Sequence, residues 1–195
     1  VFVSLNVYIS NNESFETVLP IRIKSIHNRI IELASYKEAS LSSGYDFFPL
    51  LKKLVNVAYS DSHYFIYLET YSSELVEELL QKESLHYTIY HEGENTKIFK
   101  VRIQRIRDLE IIYPALTVSG LDSLFTLVVH ELDDGKMLNK LEVSITDEMQ
   151  KPAFTFHYDL QGIFILGTDE WLDSRYIKNN LLSDSEIIDE LTIKL

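Results

Sequence analysis

Between residues 123 and 167, strand-length apolar runs are separated by connections too short to do more than reverse the chain. The runs 123–132, 138–146, 153–159 and 162–167 read as strands. Asp133-Asp134-Gly135, residues 147–152 and Leu160-Gln161-Gly162 are the turns between them. A parallel neighbour would need a crossover of about a dozen residues or more, so this spacing predicts an antiparallel meander. Thr168-Asp169-Glu170 then starts a helix reaching about Leu182, with Leu172, Tyr176 and Leu181 facing inward. Ser183-Asp184-Ser185-Glu186 has capping-box form and predicts a last short helix.

The first half has a different rhythm. Val1, Val3, Leu5, Val7 and Ile9 alternate as one face of a strand, broken by Asn11-Asn12-Glu13. From Pro20, Ile23, Ile26, Ile30 and Leu33 recur at three and four residues, which predicts an amphipathic helix ending near 40–44. A second helix is expected over 47–58, capped by Asp46, with Pro49 in its first turn and Phe47, Leu51, Leu54 and Ala58 as its stripe. Residues 62–105 then read strand, helix, strand, strand. The strands are 63–71, 84–91 and 97–105, the last two joined by the turn Glu92-Gly93-Glu94-Asn95. The helix is 74–83, opened by Ser72-Ser73, with Leu75, Val76, Leu79 and Leu80 expected inward and Glu74, Glu77 and Glu78 outward. Acid in the first turn suits the positive helix N-terminus.

These elements make an α+β chain: a helix-rich first half holding a strand-helix-strand-strand segment, and a second half built as an antiparallel β-meander followed by a C-terminal helix. Pro114 and Gly120 punctuate a less periodic stretch. It marks 108–122 as a connecting segment between an α+β part at 1–107 and the meander-plus-helix part at 123–195. The two are expected to pack as one domain or as two subdomains. With 195 residues, 46% of them hydrophobic, the chain can bury one good core or two small ones. The longest apolar stretches, such as 124–129 and 163–166, are too short to span a bilayer. Residues 1–9 lack a basic leader and do not read as a signal peptide. With no cysteine, disulfides, thiolate metal sites and cysteine nucleophiles are absent, and a cytoplasmic location is expected.

Charge is unevenly spread. Residues 61–96 carry eight acidic side chains and one basic, whereas 97–107 carry five basic ones (Lys97, Lys100, Arg102, Arg105, Arg107) and no acid. From Asp108 onward the balance is −11, and the whole chain stands at −12. Such a molecule repels nucleic acid and anionic lipid and steers basic partners at long range. The Lys100, Arg102 and Arg105 side chains form a basic face. A nucleic-acid stripe is one reading of it. The preferred one is an edge or solvent-facing strand protected by its charges, which also neutralise the acidic helix at 74–83.

Catalytic motifs are missing. There is no Gly-x-Ser-x-Gly elbow, no Gly-x-Gly-x-x-Gly and no Walker loop. Asp133-Asp134-Gly135-Lys136 is turn chemistry, and the following strand has Ser144 where a Glu-x-Lys nuclease motif needs lysine. His86 and His91, five residues apart, point to opposite sides of a regular strand. His157 and Asp159 share a face, and His130 (with Glu131) lies on a nearby strand, so these three are weak candidates for zinc or manganese. Their spacing matches no motif, and solvated strand residues, the preferred reading, explain all of them.

Tyr59, Tyr64, Tyr67, Tyr71, Tyr87 and Tyr90 crowd in or beside the acidic segment. Most are expected to be half-buried structural residues. A subset framed by carboxylates would make a receptor for a cationic protein, because tyrosine offers large contact area at low rotamer cost. The expected partner-binding set is Tyr67, Glu69, Tyr71, Glu74, Glu77 and Glu78. The function read from the sequence is therefore a non-catalytic, acidic protein-binding module of inhibitor or immunity type. Its partner would be a basic protein such as a nucleic-acid enzyme, and no cofactor, nucleic acid or membrane is implied. The alternatives are an accessory subunit of a larger assembly and a metal-dependent hydrolase around His130, His157 and Asp159.

Overall fold

The computed structural model describes residues 47–60, 62–130, 151–156, 160 and 162–167 in full. It also describes the strand backbone at 5–10, 22–25, 30–34, 138–139, 142–145 and 187–193. The first helix, α1 (Phe48–Tyr59), has Phe47 at its N-cap and Pro49 in its first turn. The anticipated stripe of Phe47, Leu51, Leu54 and Ala58 is buried. Asp46 is not the cap: the helix begins one residue later than expected, with no side-chain cap hydrogen bond.

Strand β4 (Tyr64–Thr70), helix α2 (Ser73–Lys82), strand β5 (Tyr87–Glu92) and strand β6 (Lys97–Ile103) follow as the sequence pattern predicts. The less periodic stretch at 108–122 forms most of helix α3 (Ile106–Leu121) and its C-cap Asp122, which lead into β7 (Thr126–His130). Pro114 does not stop α3, because Pro114 and Glu110, whose carbonyl loses its partner, are both exposed and water can serve the freed group. On the opposite side Leu109, Ile112 and Leu116 are fully buried and hold the helix to the sheet. At Gly120 a Cβ would lie 2.8 Å from Leu160 Cδ1 and 3.6 Å from Phe156 Cβ, so glycine allows α3 its close approach there.

β4 is antiparallel to both β6 and β7, and β5 is antiparallel to β6. Hence α2 joins parallel strands that flank β6, while α3 joins parallel strands that flank β4. Two interleaved split βαβ units of this kind form the β-α-β-β-α-β arrangement of ferredoxin-like folds. Strands β10 (Ala153–Phe156) and β11 (Gly162–Leu166) extend it beyond β7, giving six antiparallel strands in the order β11-β10-β7-β4-β6-β5. Beyond β11 the sheet continues through β3 (Ile30–Ala34), β1 (Leu5–Ser10) and β12 (Ile187–Ile193), with β12 parallel to β1. A second sheet joins β2 (Arg22–Ser25), β9 (Glu142–Ile145) and β8 (Leu138–Asn139). The chain is α+β, as its pattern predicts.

Several local expectations are corrected. The helix expected from Pro20 is replaced by β2 and β3. Its isoleucines are stiff, β-branched residues, and pairing of β3 between β1 and β11 overrides a three-four spacing that short strands also satisfy. The strand expected at 138–146 is two short strands paired with each other, so β10 returns to β7 after an excursion rather than completing a simple meander. The short helix expected after Ser183 is the strand β12, rich in isoleucine. The helix expected at 168–182 lies outside the described residues. Finally, β6 is not an edge strand: β4 and β5 pair with it on either side, and β5 is the edge.

Both faces of the central strands are buried. On the helix side lie Tyr64, Ile66, Leu68, Phe99, Val101 and Ile103, against α1, α2 and α3. On the other side, Phe65, Tyr67, Ile98, Leu127 and Phe164 are equally enclosed. Full enclosure turns strand sequences into near-continuous apolar runs in place of clean alternation.

Candidate partner-binding surface

α2 is amphipathic by spacing: Val76 and Leu80, four apart, are its buried row. Glu74 sits in the first turn, Lys82 in the last, and both ends thereby favour the helix dipole. The Ser72 N–H donates to Thr70 Oγ1 at 3.0 Å, fixing the entry from β4. Leu75, expected inward, is 68% exposed, and Tyr71 is 59% exposed. The buried row points straight at the sheet and leaves the Leu75 row on the flank. Tyr71, Glu74, Leu75 and Glu78 are thus all exposed at or near the start of α2.

Glu77 is half-buried and tied down. Its Oε1 accepts the Tyr87 hydroxyl proton at 2.9 Å, and Gln81 Nε2 donates to the same hydroxyl at 3.1 Å. These bonds anchor α2 to β5. Glu69 also serves the fold. Its carboxylate accepts from Thr96 Oγ1 at 2.6 Å and from the Phe125 N–H at 3.1 Å, joining the β5–β6 hairpin to the approach to β7. Tyr67 is 1% exposed, its ring edge-on to Tyr90 at 5.1 Å. Its hydroxyl has no hydrogen-bond partner among the described residues. Burial, then the neighbouring Tyr90, pushes the Tyr67 hydroxyl well above the usual tyrosine range. Of the six anticipated binding residues, the structure presents Tyr71, Glu74 and Glu78 to solvent and encloses Tyr67.

The basic residues are dispersed. Lys100 Nζ lies 4.2 Å from the Phe65 ring centroid and 5.6 Å from that of Tyr67, a cation–π cover over the second sheet face. Arg102 lies on that same face, beside Phe65 in register. Arg105 has left the strand and stands at the N-cap of α3. There its N–H donates to Asp108 Oδ2 and its Nη2 to Asp108 Oδ1, both at 3.0 Å, while the Gln104 N–H reaches Oδ2 at 3.1 Å. Asp108 is thereby buried with both carboxylate oxygens hydrogen-bonded. Lys97 does face the acidic helix. It pairs with Glu92 at 3.1 Å, and that hydrogen bond leads, with the Glu92, Glu77 and Glu74 charges, in raising its pKa.

Of the metal candidates, His130 ends β7 with its ring 6.0 Å from that of Tyr59 and 6.3 Å from that of His63. His157 and Asp159 lie outside the described residues. Among the described residues, no three or more His, Asp or Glu side chains converge as metal ligands, and no helix is long and apolar enough to cross a membrane. No protein-family model, no curated protein and no solved structure matches this chain. The split βαβ arrangement itself hosts many unrelated functions, so only the surface bears on this one.

Sequence reasoning missed Leu75 and Ile89, which is 43% exposed on β5. The signal for Leu75 was present. Two adjacent apolar rows (75/79 and 76/80) span more of a ten-residue helix than one sheet contact covers.

Proposed function

We propose that this chain is a non-catalytic binding protein that captures a basic protein through the exposed acids and apolar side chains around α2. The supporting observation is that Tyr71 and Leu75 stand exposed among Glu74 and Glu78, within a segment carrying eight acids and one base. An aromatic or aliphatic anchor ringed by charge is how interfaces combine holding energy with steering. The partner is a cationic protein, and an enzyme that handles nucleic acid has the required charge. The chain then acts as an inhibitor or immunity-type protein, with speed of capture supplied by its field.

Parallel affinity capture with the wild type and with Glu74→Gln/Glu77→Gln/Glu78→Gln tests this reading. A cationic protein held at low salt, released at high salt and lost from the variant is the expected result. The same proteins on both baits, or no cationic species on either, contradicts it.

A further inference from the structure

We propose that the outer edge of β5 is a strand-addition site for an extended, lysine- or arginine-bearing segment of a partner protein. This rests on the function proposed above and adds where and how the partner docks. Backbone geometry comes first. The Arg102 N–H donates to the His86 carbonyl at 2.8 Å across the β5–β6 pair. Inward-bonded residues alternate along an antiparallel ladder. With Thr88 opposite Lys100, His86 and Thr88 turn inward, and Tyr87 and Ile89 turn N–H and C=O outward. β5 is the last strand of the sheet, so no described strand meets those groups.

The edge is also poorly defended. Proteins blunt such strands with lysine, proline or bulges. Tyr87-Thr88-Ile89-Tyr90 has neither lysine nor proline and consists of strong β-formers. The bulge falls after Ile89, leaving 87–89 regular. Ile89 projects on the helix side of the sheet, in register with Phe99, yet stays 43% exposed.

Charge selects the occupant. Glu77 reaches across to the Tyr87 hydroxyl, and Glu92 ends the strand beside Lys97. The Lys97 ammonium feels the carboxylates of Glu92, Glu77 and Glu74 together. A second copy of β5 would bring the same carboxylates against one another, whereas a cationic strand would relieve them. Main-chain bonds to Tyr87 and Ile89 would hold that strand, and its alternate side chains would lie along Ile89 and the α2 carboxylates.

The probe is a short peptide alternating lysine and valine, with its glutamate–valine counterpart as control. Hydrogen exchange followed by NMR should show the lysine peptide slowing exchange of the Tyr87 and Ile89 amides. The glutamate peptide should not. Ile89→Pro deletes an N–H that points away from the sheet, so the fold should persist while the lysine peptide binds about tenfold more weakly. Ile89→Thr should bind within about threefold of wild type, because it keeps the N–H and the β-branch. Binding that leaves both amides exchanging as before overturns the proposal, with or without a folded proline variant. Equal binding of the glutamate peptide overturns it too, as does self-association that protects β5 without peptide. If Glu74→Gln/Glu77→Gln/Glu78→Gln abolishes peptide binding and Ile89→Pro leaves it intact, the edge site falls and the acidic-surface function stands. If neither variant changes binding, both fall.

Discussion

β4 and β5 run parallel in one sheet, and each carries two tyrosines three residues apart, yet the two strands have opposite fates. β4 is an interior strand, paired on both sides and covered on both faces, and its Tyr64 and Tyr67 are buried. β5 closes the sheet, and its Tyr87 hydroxyl is spent fastening α2 rather than filling the core. The same residue type at the same spacing thus builds a core in one strand and an edge in the other. Position in the sheet decides which, so tyrosine density alone does not locate a recognition surface.

The largest expected effect that would sharpen this contrast is produced by alkali. Burial raises the Tyr59, Tyr64 and Tyr67 hydroxyls above the ordinary value of 10.0, with Asp108 adding to the rise at Tyr64 and Tyr90 to that at Tyr67. The native state therefore holds protons that the unfolded chain releases above about pH 10. Their stabilising contribution is complete below that pH and is lost as pH climbs toward the raised folded values. A tyrosinate absorbance step coinciding with loss of far-ultraviolet circular dichroism is expected. Complete titration of every tyrosine with the dichroism intact would break the contrast.

Next in size is Leu68→Ala on β4, expected to cost about 2–5 kcal/mol in denaturant unfolding, since Leu68 is fully buried among helix-side neighbours. Ile89→Ala on β5 should cost well under half of that. Equal losses would erase the distinction between centre and edge. Tyr59→Phe comes third, at about 1–2 kcal/mol. The Tyr59 hydroxyl oxygen lies 2.8 Å from the buried Pro152 carbonyl oxygen and 3.1 Å from that of Val128, and phenylalanine would take its single proton away from both. Smallest is Tyr71→Ala, expected to shift stability by no more than about 0.5 kcal/mol while weakening capture of the basic partner. A large melting change there would assign Tyr71 to the fold instead.

How much of this was legible in the sequence varied with how each segment is stabilised. α1, β4, α2, β5 and β6 carry their own periodicity, and all emerged within a few residues of their observed ends. α3 was hidden by Pro114 and Gly120, whose ordinary meaning fails where the proline faces water and the glycine faces a tight packing contact. β2, β3 and β12 depend on distant partners, and no local pattern announces a parallel pair such as β1 with β12. Of the surface, the acids of α2 were readable from spacing. Enclosure of Tyr67 was not, because alternation says which residues share a face but not whether the second face is covered.

The most direct test of the account is the association rate of the captured cationic partner with wild type and with Glu74→Gln/Glu77→Gln/Glu78→Gln, across a salt series. Steering by the α2 carboxylates predicts a rate about tenfold slower for the variant at low salt, with the two rates converging as salt screens the field. Superimposable rates at every ionic strength would contradict it.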